Sequence, residues 1–281
     1  MKKLLTYLLR ATAIYIVVVL AFSCQKDDAY EQFVDQTAEV SFSTSIDEVT
    51  RAWEGENVDK LYVEVYLEST FVERAEFEAV NGVIENFSLS LLKGQRYTAV
   101  FWAQDKDCTV YNNADLKAIG IDYSKGTDFD SNCTNFDEVR AMDAFTAHCS
   151  FTVDNRTLNE GVSVHLRRPF ALIFVGTNAS NVNKTTTSSI TVSNVATTFN
   201  AATGLGVVEN NSTASFINFT PDRSLVPGTS QKMVAMAYVL PVKNETSDIT
   251  ISTTTDSNTV QNTISGVKLE ANKKYNILSS N

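Results

Sequence analysis

The stretch VDKLYVEVYLE, residues 58–68, decides the fold. Leu61, Val63, Val65 and Leu67 fall on one face of an extended chain, and Tyr62, Glu64, Tyr66 and Glu68 on the other. That period-two alternation is the mark of a half-buried β-strand. Toward the N-terminus, Val40, Phe42, Thr44 and Ile46 line one face of a first strand. Toward the C-terminus, Phe87, Leu89 and Leu91 repeat the pattern, Lys93 to Gln95 make a glycine turn, and Tyr97 to Ala103 is a strongly β-prone run. Polar cross-over sequence follows from Gln104 to Asn135, with one short helix expected around Ala114 to Ile119.

Further strands are expected at Cys149–Val153, Val162–Leu166, Phe170–Val175, Ile190–Val195, Phe216–Phe219, Met233–Leu240, Ile249–Thr253, Val267–Leu269 and Tyr275–Leu278. Pro169 lacks a ladder donor and belongs at a strand start, an edge or a bulge. The Asn- and Thr-rich run from Asn178 to Ser189 reads as a long exposed hairpin loop. Short strands at these intervals, with scarcely any helical periodicity, indicate an all-β chain of β-sandwiches. Two in series suit the length better than one.

The charged, turn-like sequence Asp154 to Gly161 places the boundary between them. The expected organisation is a signal peptide at 1–23, an acidic tether at 24–36, a first sandwich at 37–158 and a second at 159–281. Three of the 23 basic residues (Lys2, Lys3 and Arg10) and none of the 33 acidic ones precede Cys24. The remaining 258 residues therefore carry a net charge of -13. Such a surface repels nucleic acid and argues against lying flat on an anionic membrane.

Attachment is instead read from Cys24. The basic residues Lys2, Lys3 and Arg10 precede an uncharged run, Ala11 to Phe22, that is too short to span a bilayer and suits a secretory signal. Small residues at Ala21 and Ser23 before a cysteine look like a bacterial lipobox, in which the thiol is acylated and the chain cut before Cys24. Two or three acyl chains exceed the threshold for stable anchoring, since each buried methylene adds about 0.8 kcal/mol. The next residues, Gln25, Lys26, Asp27 and Asp28, resemble the signal that sends Bacteroidetes lipoproteins outward across the outer membrane. An acidic linker that simply stays solvated gives the same composition.

No catalytic signature is present. His148 and His165 are the only histidines. His148 and Cys149 are neighbours on a strand and point to opposite faces, so Asp143, His148 and Cys149 make no nucleophile and base pair. P-loop, dinucleotide and zincin motifs are missing. Asp105, Asp107 and Thr109 resemble the opening of a calcium loop, but Val110 and Leu116 occupy its glycine and glutamate positions. Asp122, Asp128 and Asp130 are more naturally turn-starting carboxylates. No metal and no cofactor is expected. Of the cysteines Cys108, Cys133 and Cys149, a disulfide between Cys108 and Cys133 is favoured, with Cys149 a small buried hydrophobe. Trp53, in a charged linker, either seals a core edge or faces a partner.

Several segments in this order resemble the fimbrillin-related lipoproteins of Bacteroidetes, an uncharacterised group close to the minor fimbrial subunits and anchors. They are the lipobox ending at Cys24, TRA at 50–52, VDKLYV at 58–63, LLKGQRY at 91–97, VFWA at 100–103, YNNADLK at 111–117, MDAF at 142–145, LRRPFA at 166–171, NAATG at 200–204, and a last strand ending at Asn276 and Ile277. The resemblance covers nearly all of the chain after Cys24. It implies two tandem Greek-key, transthyretin-like β-sandwiches, no enzymatic activity, and a role in fimbriae or adhesion with other fimbrial subunits or a host or cell-surface ligand as partners. It also implies polymerisation by strand exchange, in some members after proteolysis at an arginine, for which Arg51 stands in a compatible place. The competing reading is a glycan-binding outer-membrane lipoprotein, with Trp102, Tyr111, Asp105 and Asp107 forming an aromatic and polar patch.

Overall fold

The computed structural model describes residues 36–46, 58–79, 86–127, 135–207, 212–221, 224–256 and 258–278. Cys24, Gln25, Lys26, Asp27, Asp28, Arg51, Trp53, Asp128, Asp130 and Cys133 lie outside them. Among the described residues the first nine strands are β1 (Thr37–Ile46), β2 (Lys60–Leu67), β3 (Thr70–Glu78), β4 (Asn86–Leu92), β5 (Arg96–Gln104), β6 (Tyr111–Asn112), β7 (Ile119–Ile121), β8 (Ala144–Thr152) and β9 (Val162–Leu166). The other nine are β10 (Ala171–Thr177), β11 (Thr185–Ser193), β12 (Thr198–Asn200), β13 (Leu205–Val207), β14 (Thr213–Phe219), β15 (Lys232–Val239), β16 (Ser247–Thr255), β17 (Thr259–Val267) and β18 (Lys274–Leu278).

The sheets repeat one plan twice. In the first half the orders are β4-β1-β9 and β3-β2-β5-β8; in the second they are β15-β10-β18 and β14-β11-β16-β17. Taken in chain order, the two sets of seven correspond strand for strand. Each three-stranded sheet is built on its first strand, with an antiparallel neighbour on one side and a parallel one on the other. These are two tandem Greek-key, transthyretin-like β-sandwiches. The strand Val162–Leu166, read from sequence as part of the second sandwich, completes the first by pairing with β1.

A fifth sheet, β13-β12-β7-β6, joins the halves. Residues 111–121 of the polar cross-over meet an insertion between β11 and β14, with Phe199 opposite Ile119. No helix forms at Ala114–Ile119: the segment is a turn leading into β7. A helix so short cannot hold itself, and pairing with β12 satisfies the backbone instead. Likewise 178–189 is not one exposed loop. A helical turn, Ala179–Val182, capped by the Asn178 side chain, leads into β11. Ile190 and Val192 enter the core, while the β-branched threonines suit the pleated outer face.

Two cores result. One lies inside the first sandwich and holds Val40, Phe42, Leu61, Val63, Val65, Phe101 and Phe145. The other fills the second sandwich but also takes Tyr62, Tyr66, Val100 and Trp102 from the far faces of β2 and β5. Those strands are therefore buried on both faces, which is why 97–103 is so continuously apolar.

Candidate functional site

The feature best placed to act is β1 and the slot it fills. Residues Thr37 to Ser43 pair antiparallel with Leu92 to Asn86 of β4, and Phe42 to Ile46 pair parallel with Val162 to Leu166 of β9. β1 is thus a middle strand, whose withdrawal would open a groove between β4 and β9 with unpaired backbone on both walls. The alternation of 37–46 fits that position. Val40 and Phe42 are buried, whereas Glu39, Ser41, Ser43 and Ser45 face out. Phe42 stacks on Phe87 with ring centroids 5.1 Å apart and meets Phe151 edge-on at 5.4 Å. On the outside, Ser43 Oγ donates to Ser163 Oγ at 3.3 Å, and Ser45 Oγ lies 2.8 Å from His165 Nδ1.

The slot is closed at one end by the helix Asn155–Glu160 and by Gly161. Gly161 has φ +74°, and a Cβ there would sit 3.0 Å from the Ser41 carbonyl oxygen. Only glycine tolerates both the backbone conformation and the contact. Asp154 caps the helix by accepting from the Thr157 N–H, which holds its carboxyl below the usual range. β1 ends at Ile46, and the link 47–57 that contains Arg51 lies outside the described residues.

The other sequence candidates are scattered. Trp102 is fully buried: its Nε1 donates to Gln104 Oε1 at 2.8 Å, and its ring packs against Tyr111 at 5.2 Å and Phe199 at 5.8 Å. Tyr111 is buried and donates to the Met142 carbonyl. The aromatic patch of the competing sugar-binding reading is therefore core, as the apolar run around Trp102 implies. Asp105 and Asp122 accept from the backbone N–H groups of Asp107 and Ser124, as turn-starting carboxylates do. No cluster of metal-ligating side chains occurs among the described residues.

Asp143 is buried and grips the Arg168 guanidinium through both its oxygens, away from His148, which is exposed on β8. Cys108 and Cys149 are partly buried free thiols, each raised by burial to about 11. One buried charge escapes a sequence reading. Glu64 accepts from Arg74 Nη1 at 2.9 Å, from the Tyr66 hydroxyl and from the Leu116 N–H at 3.2 Å. The alternation of 61–68 assigns Glu64 to an outer face, and only the packing of 111–123 over that face buries it. The same burial, with the Glu64 carboxylate next, raises the Tyr66 hydroxyl well above its ordinary pKa.

Residues 31–279 match the model of a family of unknown function, DUF6562. No curated protein matches the sequence. Among solved structures, a Bacteroides ovatus protein provisionally named an adhesin aligns with a TM-score of 0.54 at 9% identity, covering 86% of this chain and 87% of that one. A Bacteroides thetaiotaomicron protein, also provisionally an adhesin, gives 0.55 at 13% identity over 82% and 80%. Another from that organism, provisionally described as polysaccharide binding, gives 0.53 at 10% over 86% and 90%. At such identities the likeness is one of fold.

Proposed function

As the chain belongs to the DUF6562 family, whose function is unknown, we propose from its own geometry that it is a non-enzymatic surface protein acting in fimbrial assembly or adhesion. In this reading Cys24 carries the lipid anchor in the outer membrane, and Gln25 to Asp28 direct the body outward. The observation that carries the reading is β1: a self-contained middle strand, joined to the body through a link that holds Arg51. Intact, β1 ties the body covalently to its anchor. Once the link is cut at Arg51, only backbone pairing and the seating of Val40 and Phe42 hold it. Any chain offering a strand of like alternation can then take its place by β-augmentation. The names given to the B. ovatus and B. thetaiotaomicron relatives accord with a surface-binding role.

The experiment is to digest the protein, displayed in its native envelope, with a trypsin-like protease. The body should leave the membrane without residues 24–51 and run as a ladder of oligomers on native gels. A digested protein that keeps its first strand bound and forms no ladder overturns the exchange mechanism. The glycan-binding reading, which the name of the third relative accords with, has lost its platform now that Trp102 and Tyr111 are covered. Recovery of the protein from the envelope with bound glycan and no ladder would restore it.

A further inference from the structure

We propose that β17 is a self-association edge, and that two copies of this chain join through antiparallel pairing of β17 with β17 about a two-fold axis at Asn262. The observation is the state of that edge. β17 is the outermost strand of β14-β11-β16-β17, and every residue from Thr259 to Gly266 is exposed. Exposed strand edges are ordinarily blunted by charge, proline, shortness or cover. The other edges of the four-stranded sandwich sheets are so treated. β3 carries Glu73, Arg74, Glu76 and Glu78; β8 is bridged at Thr146 by Arg167; β14 is packed by the short 3-10 helix Tyr123–Thr127. β17 runs for nine residues, TVQNTISGV, with no charge and no proline.

Apolar side chains accompany this open edge. Val260, Asn262 and Ile264 stand opposite Thr253, Ile251 and Ile249, and so continue a core-facing row. The facing sheet has only three strands and ends at β18, and Val260 and Ile264 remain 51% and 40% exposed. Unpaired backbone groups on such an edge call for another strand.

The sequence of the strand points to a second copy. With the axis at Asn262, Val260 meets the partner copy's Ile264 on one face, and Thr259 meets its Ser265 on the other. Gln261 faces Thr263, and the two Asn262 amides face each other. Every pair is like with like, as stable cross-strand pairs require, and an isologous contact needs such self-complementarity. Charge agrees. Two copies of a chain at -10 repel, and a strand without carboxylates adds no local repulsion to that. The nearby Asp248 accepts from the Gly266 N–H at 2.9 Å, at a bulge that ends the regular edge. The contact lies in the second sandwich, so it neither needs nor blocks exchange of β1.

The test is oxidative cross-linking of the purified full chain, with the parent protein as the background for its native cysteines. Asn262→Cys should give a covalent dimer. Val260→Cys alone should not, because four residues of offset put like positions about 14 Å apart, beyond disulfide reach. A mixture of Val260→Cys and Ile264→Cys should cross-link. By sedimentation velocity the parent should be a dimer at micromolar concentration and Ile264→Lys a monomer. A monomeric parent, or equal cross-linking at 260 and 262, overturns the proposal.

Discussion

Asp143 and Arg168 show how much one pair of residues does at the join between the halves. The guanidinium is held by both carboxylate oxygens and lies over the rings of Phe145 and Tyr238, one from each half. Removing one member of a buried pair leaves an uncompensated charge, so Asp143→Asn should destabilise by about 3–5 kcal/mol. Urea denaturation would show it as a fall in midpoint at unchanged slope. The two thiols give a second residue-scale expectation. With pKa values near 11, roughly one thiol in a thousand is ionised at pH 8. Cys108 and Cys149 should therefore react slowly with iodoacetamide in the native protein, about tenfold faster per pH unit up to pH 10, as mass spectrometry can follow. A disulfide to Cys133 would instead make Cys108 inert at every pH until reduced.

At the scale of elements, β1 is held by packing on one face and by its end-stop. Phe42→Ala should cost roughly 3–5 kcal/mol and raise amide exchange along β4 and β9. Gly161→Ala should loosen the same strands, because the Ser41 backbone cannot retreat from a Cβ 3.0 Å away. The Asp154 cap adds a pH dependence whose sign follows from its lowered pKa. A depressed carboxyl contributes stability above its ordinary value, near 4, and loses it as pH falls through the folded value. Protection of the Thr157 amide, relative to its intrinsic exchange rate at each pH, should thus fall below about pH 4 and show no such step in Asp154→Asn. The strand itself was legible in the sequence because Val40 and Phe42 alternate with serines. β3 was not. Its hairpin turns at Glu68 and Ser69, with Glu68 at φ +56°, where Asn-Gly would be the recognisable signal. The reading of Glu68 as one more strand residue hid the turn, and Thr70–Glu78 has too little apolar alternation to announce a strand by itself.

For the whole molecule, the sequence showed the β class and the doubling but not how the halves join. Tyr111, Leu116 and Ile119 are spaced through polar sequence with no period, and Phe136 and Val139 sit on a helix of only 7 residues, Asn135–Ala141, so nothing local marks them as core. The pairing of β7 with β12 gathers the first three, and the packing of the helix on β14 and β15 the other two. The consequence is a dependence of the first sandwich on the second. Tyr62, Tyr66, Val100 and Trp102 sit on its sheet yet are buried in the other core. At the 1.5–3 kcal/mol typical of a large buried apolar side chain, their exposure would cost about 6–12 kcal/mol, as much as the whole stability of an ordinary domain. A fragment of residues 36–158, cut at the boundary the charged turn suggests, would also lack β9. A fragment of 36–168 restores β9 and keeps 111–123, but strips Phe170 and Phe199 from Trp102 and the rest of the second sandwich from the shared core. Both should bind a hydrophobic dye and lack a cooperative unfolding transition, while the full chain unfolds in one step by tryptophan fluorescence and by circular dichroism alike. A 36–168 fragment that melted cooperatively on its own would show that the shared core is dispensable, and that the sandwiches are held together only by their connecting strands.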